Sequence, residues 1–170
     1  GENERPVMAM QLIIDQSGSM SSGDGFVTKL DVAKEAALAA LKNVSETDYI
    51  GVMAFDDSYD RIVPLQKVTD RDMISNKISS IGIDGGTSIY PALMAGATDI
   101  MNCDAMIKHI ILLTDGEDTI AKEEYDELLS LVATAENNNG GLPVPKAYME
   151  ALNAIVNLDD GCSFHISKDV

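Results

Sequence analysis

The sequence predicts an α/β fold, doubly wound, with a mostly parallel central sheet, helices on both faces and one antiparallel edge strand. Short apolar runs bounded by turn residues recur along the chain, as in strands that are buried on both faces. Segments with apolar residues at three- and four-residue spacing alternate with these runs and predict amphipathic helices. The chain has 170 residues, of which 45% are hydrophobic and 24% charged, enough for one well-cored domain. We therefore expect a single domain over residues 7–170, after a flexible lead at residues 1–6.

The first half of the chain contains three predicted strands and one long helix. Residues 7–14 and 49–55 are apolar runs that predict buried strands. Between them, leucines and alanines over residues 29–43 fall on one helical stripe. Residues 61–65 predict a return strand, which we place at an edge of the sheet because Pro64 cannot donate to a hydrogen-bond ladder.

Two further helices and a strand are predicted in the middle of the chain. Asp70 is suited to cap a helix that carries isoleucines at helical spacing. Pro91 suits the first turn of a helix that runs to about residue 102. Residues 109–114 form an apolar run that predicts another buried strand.

The C-terminal third has weaker patterns. A helix is predicted from about residue 123, and it ends in an irregular stretch at residues 137–146 that is rich in Asn, Gly and Pro. A final helix over about residues 146–157 and a short last strand at residues 163–166 are predicted to follow.

Charge and composition exclude several classes of function. The chain carries 28 acidic and 12 basic residues, a formal net charge of −16, so it lacks the basic footprint that nucleic acid requires. No apolar run approaches the ~18 residues of a membrane span. Cys103 and Cys162 lack the spacing of a zinc site, and of the two remaining states, free thiols or one disulfide, we favour free thiols.

Three polar clusters follow or connect the predicted strands and carry the chemistry of the chain. They contain the candidate ligands Asp15, Ser17, Ser19, Thr87 and Asp115. In open α/β sheets, ligands bind outside the carboxyl ends of the strands, so these loops are expected to converge there. Hydroxyl and carboxylate oxygens suit a hard cation, and we predict Mg²⁺, with Mn²⁺ or Ca²⁺ as alternatives. Four acidic residues are expected to rim the same face, namely Asp56, Asp57, Glu117 and Asp118, with Asp24 and Asp84 as further candidates. They are interpreted as solvated acidic loops, with a second cation site or a contact for a basic ring on the partner as alternatives.

A cation with mostly neutral ligands stays electrophilic and seeks an anion, for which a carboxylate from a partner protein is the natural candidate. No Gly-x-Ser-x-Gly elbow and no phosphate-binding loop are present, so an enzyme is not expected. The prediction is a non-enzymatic, cation-dependent binding module that is monomeric within a larger protein. A metal-assisted hydrolase is the less favoured alternative.

The chain resembles the von Willebrand factor type A family. The matching residues are Asp15-Gln16-Ser17-Gly18-Ser19-Met20, Gly85-Gly86-Thr87 and Leu112-Leu113-Thr114-Asp115-Gly116-Glu117. The resemblance implies a metal-ion-dependent adhesion site with Ser17, Ser19 and Thr87 near the ion, and with Asp15 and Asp115 often acting through water. It also implies a bacterial-type member displayed outside the cytoplasm, with an intracellular subunit of an ATPase or chelatase assembly as the alternative.

One departure from the family pattern concerns residues 137–146. Family members usually have a further central strand after the helix that corresponds to residues 123–137. Two prolines in the stretch 140–145 make a poor central strand. Either that strand is lost or residues are missing from the chain between 137 and 146, and we favour missing residues because a helix and a strand are still predicted to follow.

Overall fold

The computed structural model describes residues 6–86, 88–115, 155–158 and 162–167, and its main feature is a six-stranded mixed sheet. The helices are α1 (Lys29–Lys42), α2 (Arg71–Ser79) and α3 (Ile89–Met101). The sheet strands are β1 (Met8–Asp15), β4 (Tyr49–Phe55), β5 (Tyr59–Lys67), β6 (Ile107–Leu113), β7 (Ile155–Leu158) and β8 (Cys162–Ser167), and a small hairpin consists of β2 (Gly23–Asp24) and β3 (Val27–Thr28).

The strand order in the sheet is β5-β4-β1-β6-β8-β7. Strands β4, β1, β6 and β8 run parallel to their neighbours within this group. Strand β5 pairs antiparallel with β4 at one edge, which confirms the predicted mostly parallel sheet with an antiparallel edge strand. A second antiparallel pair, β7 with β8, lies at the opposite edge and was not predicted.

Side chains of the central strands alternate between two apolar layers. In β1, Ala9 and Ile13 pack beneath α3, whereas Leu12 and Ile14 pack among the residues of α1 and α2. Because both faces of the sheet are covered, β1 and β4 are buried along nearly their whole length. The helices thus lie on both faces, as the sequence predicts, and the carboxyl ends of the strands remain available for a site.

The edge strand β5 contains an irregularity at its proline. Ile50 of β4 is paired with Gln66, whereas Val52 is paired with Val63, so two residues of β5 lie opposite one residue of β4. Pro64 lies in this bulge. A bulge and a missing N–H are both tolerated at the edge of a sheet, where no further strand needs the donor.

The predicted final helix is wrong at its C-terminal end. Residues 155–158 form β7, which pairs antiparallel with β8, whereas we predicted a helix to residue 157. Ile155 and Val156 are β-branched and favour strands, and pairing with β8 provides ladder hydrogen bonds that helical spacing in the sequence does not reveal. The predicted last strand at 163–166 is confirmed within β8. Residues 116–154, which include the helix predicted from residue 123 and the irregular stretch at 137–146, lie outside the described residues.

Candidate metal centre

The candidate site lies at the carboxyl ends of β4, β1 and β6, three adjacent parallel strands. Asp15 is the last residue of β1 and is paired with Phe55, the last residue of β4. Ile14 is paired with Leu113 at the end of β6, so Thr114 and Asp115 leave the sheet beside Asp15. Parallel pairing therefore brings Asp15 and Asp115 to the same edge.

Asp15 is fully buried, and both of its carboxylate oxygens accept hydrogen bonds from the protein. The backbone N–H of Ser17 donates to Oδ1 at 2.8 Å, and the hydroxyl of Thr114 donates to Oδ2 at 2.7 Å. The first bond shapes the turn that follows β1, and the second links this turn to the end of β6. Asp15 is thus held in one orientation by residues from two strands.

The hydroxyl oxygens of Ser17 and Ser19 lie 3.2 Å apart. Ser17 is 2% exposed, and Ser19 is half-buried in the short 3₁₀ turn Gly18–Ser21. The fully buried side chain of Met20 anchors this turn in the apolar layer below. Consequently the two hydroxyls are presented side by side above the end of β1.

Asp115 lies on the other side of the site, beside a lysine that sequence reasoning missed. The ammonium of Lys29 is 3.4 Å from Asp115 Oδ2, and the side chain of Asp115 is only 3% exposed. Lys29 is the first residue of α1, where the helix dipole disfavours a cation. Sequence spacing offers no signal for this pair, because the two residues are 86 positions apart.

Thr87 lies outside the described residues, but the residues on either side of it are tied to this face. The N–H of Gly18 donates to the carbonyl of Gly85 at 3.1 Å, and the N–H of Asp84 donates to that of Gln16 at 2.7 Å. On the other side, the N–H of Ser88 donates to the carbonyl of Asp56 at 2.6 Å. The loop that contains Thr87 is therefore joined to the loops after β1 and β4.

Two of the aspartates that follow β4 border this loop, as predicted. The backbone N–H of Ser58 and the side chain of Gln16 donate to Asp56, and these bonds hold the pKa of its carboxyl below the ordinary value, with the Ser58 N–H as the largest cause. Asp57 is packed against the glycine loop, since a Cβ at Gly86 would lie 2.0 Å from its Oδ1. Through its bond with Gln16, Asp56 thus connects the loop after β4 with the loop after β1.

The donor set fits a small, hard cation. Neighbouring oxygen ligands of an octahedral Mg²⁺ at 2.0–2.1 Å lie about 3 Å apart, close to the 3.2 Å between the hydroxyls of Ser17 and Ser19. Among the described residues, no group of three or more His, Cys, Asp or Glu side chains is arranged to hold a metal ion. The oxygens at this edge suit a cation of the Mg²⁺ class better than zinc, which prefers nitrogen and sulfur ligands.

Residues 10–117, more than half of the chain, match the family model of the von Willebrand factor type A domain. The chain belongs to the von Willebrand factor type A family. Domains of this family commonly mediate protein–protein interactions. The mixed sheet with helices on both faces is the fold of the family.

Proteins similar to this von Willebrand factor type A chain include one sequence relative and two solved structures. Uncharacterized protein sll0103 of Synechocystis sp. is 35% identical over 107 residues, which are 62% of this chain and 24% of that protein. A von Willebrand factor type A structure from Catenulispora acidiphila aligns with a TM-score of 0.64 at 24% identity, over 75% of this chain and 31% of that one. The type V pili tip protein Mfa5 of Porphyromonas gingivalis aligns with a TM-score of 0.58 at 25% identity, over 67% of this chain and 20% of that one. The chain therefore spans less than a third of each of these proteins.

Of the remaining sequence predictions, two are addressed by the described part of the chain. Cys103 is a free, half-buried thiol, as predicted, whereas the side chain of Cys162 lies outside the described part. None of the described helices combines the length and apolar character needed to cross a bilayer.

Proposed function

We propose that this domain is a non-enzymatic recognition module that binds a partner protein through a divalent cation, Mg²⁺ in the first instance. The ion would be held by the hydroxyls of Ser17, Ser19 and Thr87, with Asp15 and Asp115 acting through bound water. When bound, it would supply a positive centre to which an Asp or Glu carboxylate of the partner binds. The observation that carries the proposal is the pair of buried or half-buried serine hydroxyls, 3.2 Å apart, above the fully buried Asp15.

The charges of the site favour an anionic partner group. Both oxygens of Asp15 already accept protein hydrogen bonds, and Asp115 has an ammonium 3.4 Å away. Because the directly ligating hydroxyls are neutral and Asp115 is paired with Lys29, part of the charge of the ion would stay uncompensated. In a partly buried site, that charge is stabilised best by a carboxylate from outside the domain.

The relatives support a role in adhesion. Two thirds of this chain is similar to part of the pili tip protein Mfa5, and a pilus tip is a position from which a protein meets other surfaces. On this basis we propose a bacterial-type member that acts outside the cytoplasm, as part of a longer protein.

Calorimetric titration of Mg²⁺, Mn²⁺ and Ca²⁺ into chelator-treated protein tests the cation site. We expect saturable binding near one ion per chain, lost in Ser17→Ala and retained in Ser80→Ala. Ser80 is a matched control because it is exposed at the end of α2 and its hydroxyl donates only to the nearby carbonyl of Lys77. Equal binding by the wild type and Ser17→Ala would contradict the proposal.

The carboxylate preference is tested on the cation-loaded protein. Acetate is titrated while backbone amide resonances are recorded, first with Mg²⁺ and then with excess chelator. We expect shifts near Gly18 and Gly85 only when Mg²⁺ is present, and none with acetamide, which has the same shape without the charge. Identical shifts with and without the cation would contradict a bridging role.

With Mg²⁺ bound, no hydrolysis of p-nitrophenyl phosphate or p-nitrophenyl acetate is expected, and turnover that is lost in Ser17→Ala would favour the hydrolase alternative.

A further inference from the structure

The ion pair between Lys29 and Asp115 joins the start of α1 to the loop after β6. The two atoms, Lys29 Nζ and Asp115 Oδ2, are 3.4 Å apart. The side chain of Asp115 is 3% exposed and that of Lys29 is 33% exposed. The carboxylate is therefore shielded from water, while the ammonium retains a path to solvent.

The backbone of Lys29 is fixed, so its ammonium is restricted to the region that its side chain can reach. Its N–H donates to the carbonyl of Ser22 at 2.8 Å, which ties it to the loop that follows Ser19. The preceding residue, Thr28, caps α1 in a reciprocal pair of hydrogen bonds with Asp31. Only the flexible methylene stem of the lysine can move without disturbing this anchor.

A positive charge at the first position of a helix is unfavourable, because the exposed backbone N–H groups there carry partial positive charge. Thr28 and Asp31 already satisfy the cap of α1, so Lys29 adds nothing to it. The carboxylate of Asp115 stabilises a cation at this place. The same carboxylate is one of the two acidic groups of the candidate metal centre.

We propose that Lys29 sets the cation affinity of the metal centre by competing, as a tethered monovalent cation, for Asp115. This inference rests on the proposed function. Without a divalent ion, the ammonium balances the charge of Asp115. Cation binding at the site competes with that ion pair, so the lysine side chain either moves toward solvent or stays and repels the ion. Both alternatives weaken divalent binding relative to the same site without Lys29.

The test compares Lys29→Met with Lys42→Met by calorimetric titration of Mg²⁺. Both substitutions remove one positive charge from α1, but Lys42 is exposed at the opposite end of the helix, about 20 Å away along its axis. We expect Lys29→Met to bind Mg²⁺ about tenfold more tightly, as for removal of a like charge at close range, and Lys42→Met to stay within about twofold of the wild type.

Thermal unfolding in excess chelator provides a second measurement. Without the cation, Lys29→Met should unfold at a lower temperature than Lys42→Met, because Asp115 loses a nearby counter-charge. At saturating Mg²⁺, the two variants should unfold at the same temperature. A purely structural lysine would lower the unfolding temperature equally in both conditions. Lys29→Gln, which keeps a polar side chain, is used in the same way if the methionine variant does not fold.

The outcomes of the titration distinguish the two proposals. Tighter Mg²⁺ binding in Lys29→Met but not in Lys42→Met supports the inference. Wild-type binding with equal or weaker affinity in Lys29→Met overturns the inference and leaves the proposed function intact. Absence of binding in the wild type and in both variants overturns the proposed function and the inference together.

Discussion

The hydroxyl of Thr114 donates to Oδ2 of Asp15 at 2.7 Å, in a buried hydrogen bond between residues 99 positions apart in the sequence. Thr114 follows β6 and Asp15 ends β1, so this bond fastens two neighbouring parallel strands at the edge that carries the candidate site. The orientation of Asp15 therefore depends on the end of β6 as well as on its own turn.

Replacing Thr114 by Val should destabilise the domain by about 1–3 kcal/mol, because a buried acceptor on Asp15 loses its donor while the shape of the side chain is kept. Thr98→Val is the control, since the hydroxyl of Thr98 bonds only to the carbonyl of Met94 on the exposed side of α3. Its effect on the free energy of unfolding should stay within about 0.5 kcal/mol. Urea denaturation measures both, and equal stability of the two variants would show that the bond to Asp15 contributes little.

Gln11 is a buried polar side chain in the middle of β1, only 1% exposed. Its amide nitrogen donates to the carbonyl of Gly96 at 3.3 Å, but within the described part of the chain its amide oxygen has no hydrogen-bond partner. Gln11→Met keeps the shape and removes the unsatisfied oxygen, so we expect stabilisation of about 1 kcal/mol, a rise of about 2–4 °C in Tm. Gln66→Met, on the edge strand, should leave Tm unchanged. A lower Tm for Gln11→Met than for Gln66→Met would contradict this account.

At Gly96, α3 packs closely against the sheet. A Cβ there would lie 2.7 Å from Ile13 Cδ1 and 3.2 Å from Met53 Sδ, both in the apolar layer beneath the helix. Gly96→Ala should therefore cost about 1–3 kcal/mol in overpacking, offset by up to about 1 kcal/mol of improved helix propensity. Gly82→Ala is the control, because a Cβ at that position meets nothing within 4 Å. Scanning calorimetry should place Gly96→Ala below Gly82→Ala in Tm, and the reverse order would mean that α3 shifts freely to accept the methyl group.

Cation removal should lower the stability of the domain if the proposed site is correct. A ligand at 100 times its Kd stabilises the native state by about 2.7 kcal/mol, so saturating Mg²⁺ should raise Tm by about 5–10 °C. Excess chelator should abolish the rise. The control is Ser17→Ala, whose Tm should be the same with Mg²⁺ and with chelator, and a cation-dependent rise in that variant would place the ion elsewhere.

The sequence was most informative where strong local patterns agree with buried strands. The runs that became β1, β4 and β6 are apolar because both faces of the sheet are covered, and the cap at Asp70 is confirmed by its bond to the N–H of Met73 at 3.0 Å. Strand β7 was not predicted, because it forms by pairing with β8 and the local sequence does not reveal that pairing. A helical stripe and a β-branched end compete in that stretch, and only tertiary contacts decide between them.

The candidate ligands could be predicted because residues at the ends of parallel strands must converge. The roles of Thr114 and Lys29 could not be predicted from sequence spacing, since their partners are 99 and 86 positions away. Such contacts depend on the strand order and on the angle at which α1 leaves the loop. Thr114 looks like the end of a buried strand, and Lys29 looks like an ordinary helical surface residue.

The bulge at Pro64 has a consequence for how copies of this domain meet. An open sheet edge is a template for strand addition, and identical chains that join edge to edge in this way aggregate. At the β5 edge, Pro64 lacks an N–H and the irregular pairing breaks the repeat of free donors and acceptors. A tandem array or a crowded surface of such domains is thus protected from fusing along this edge.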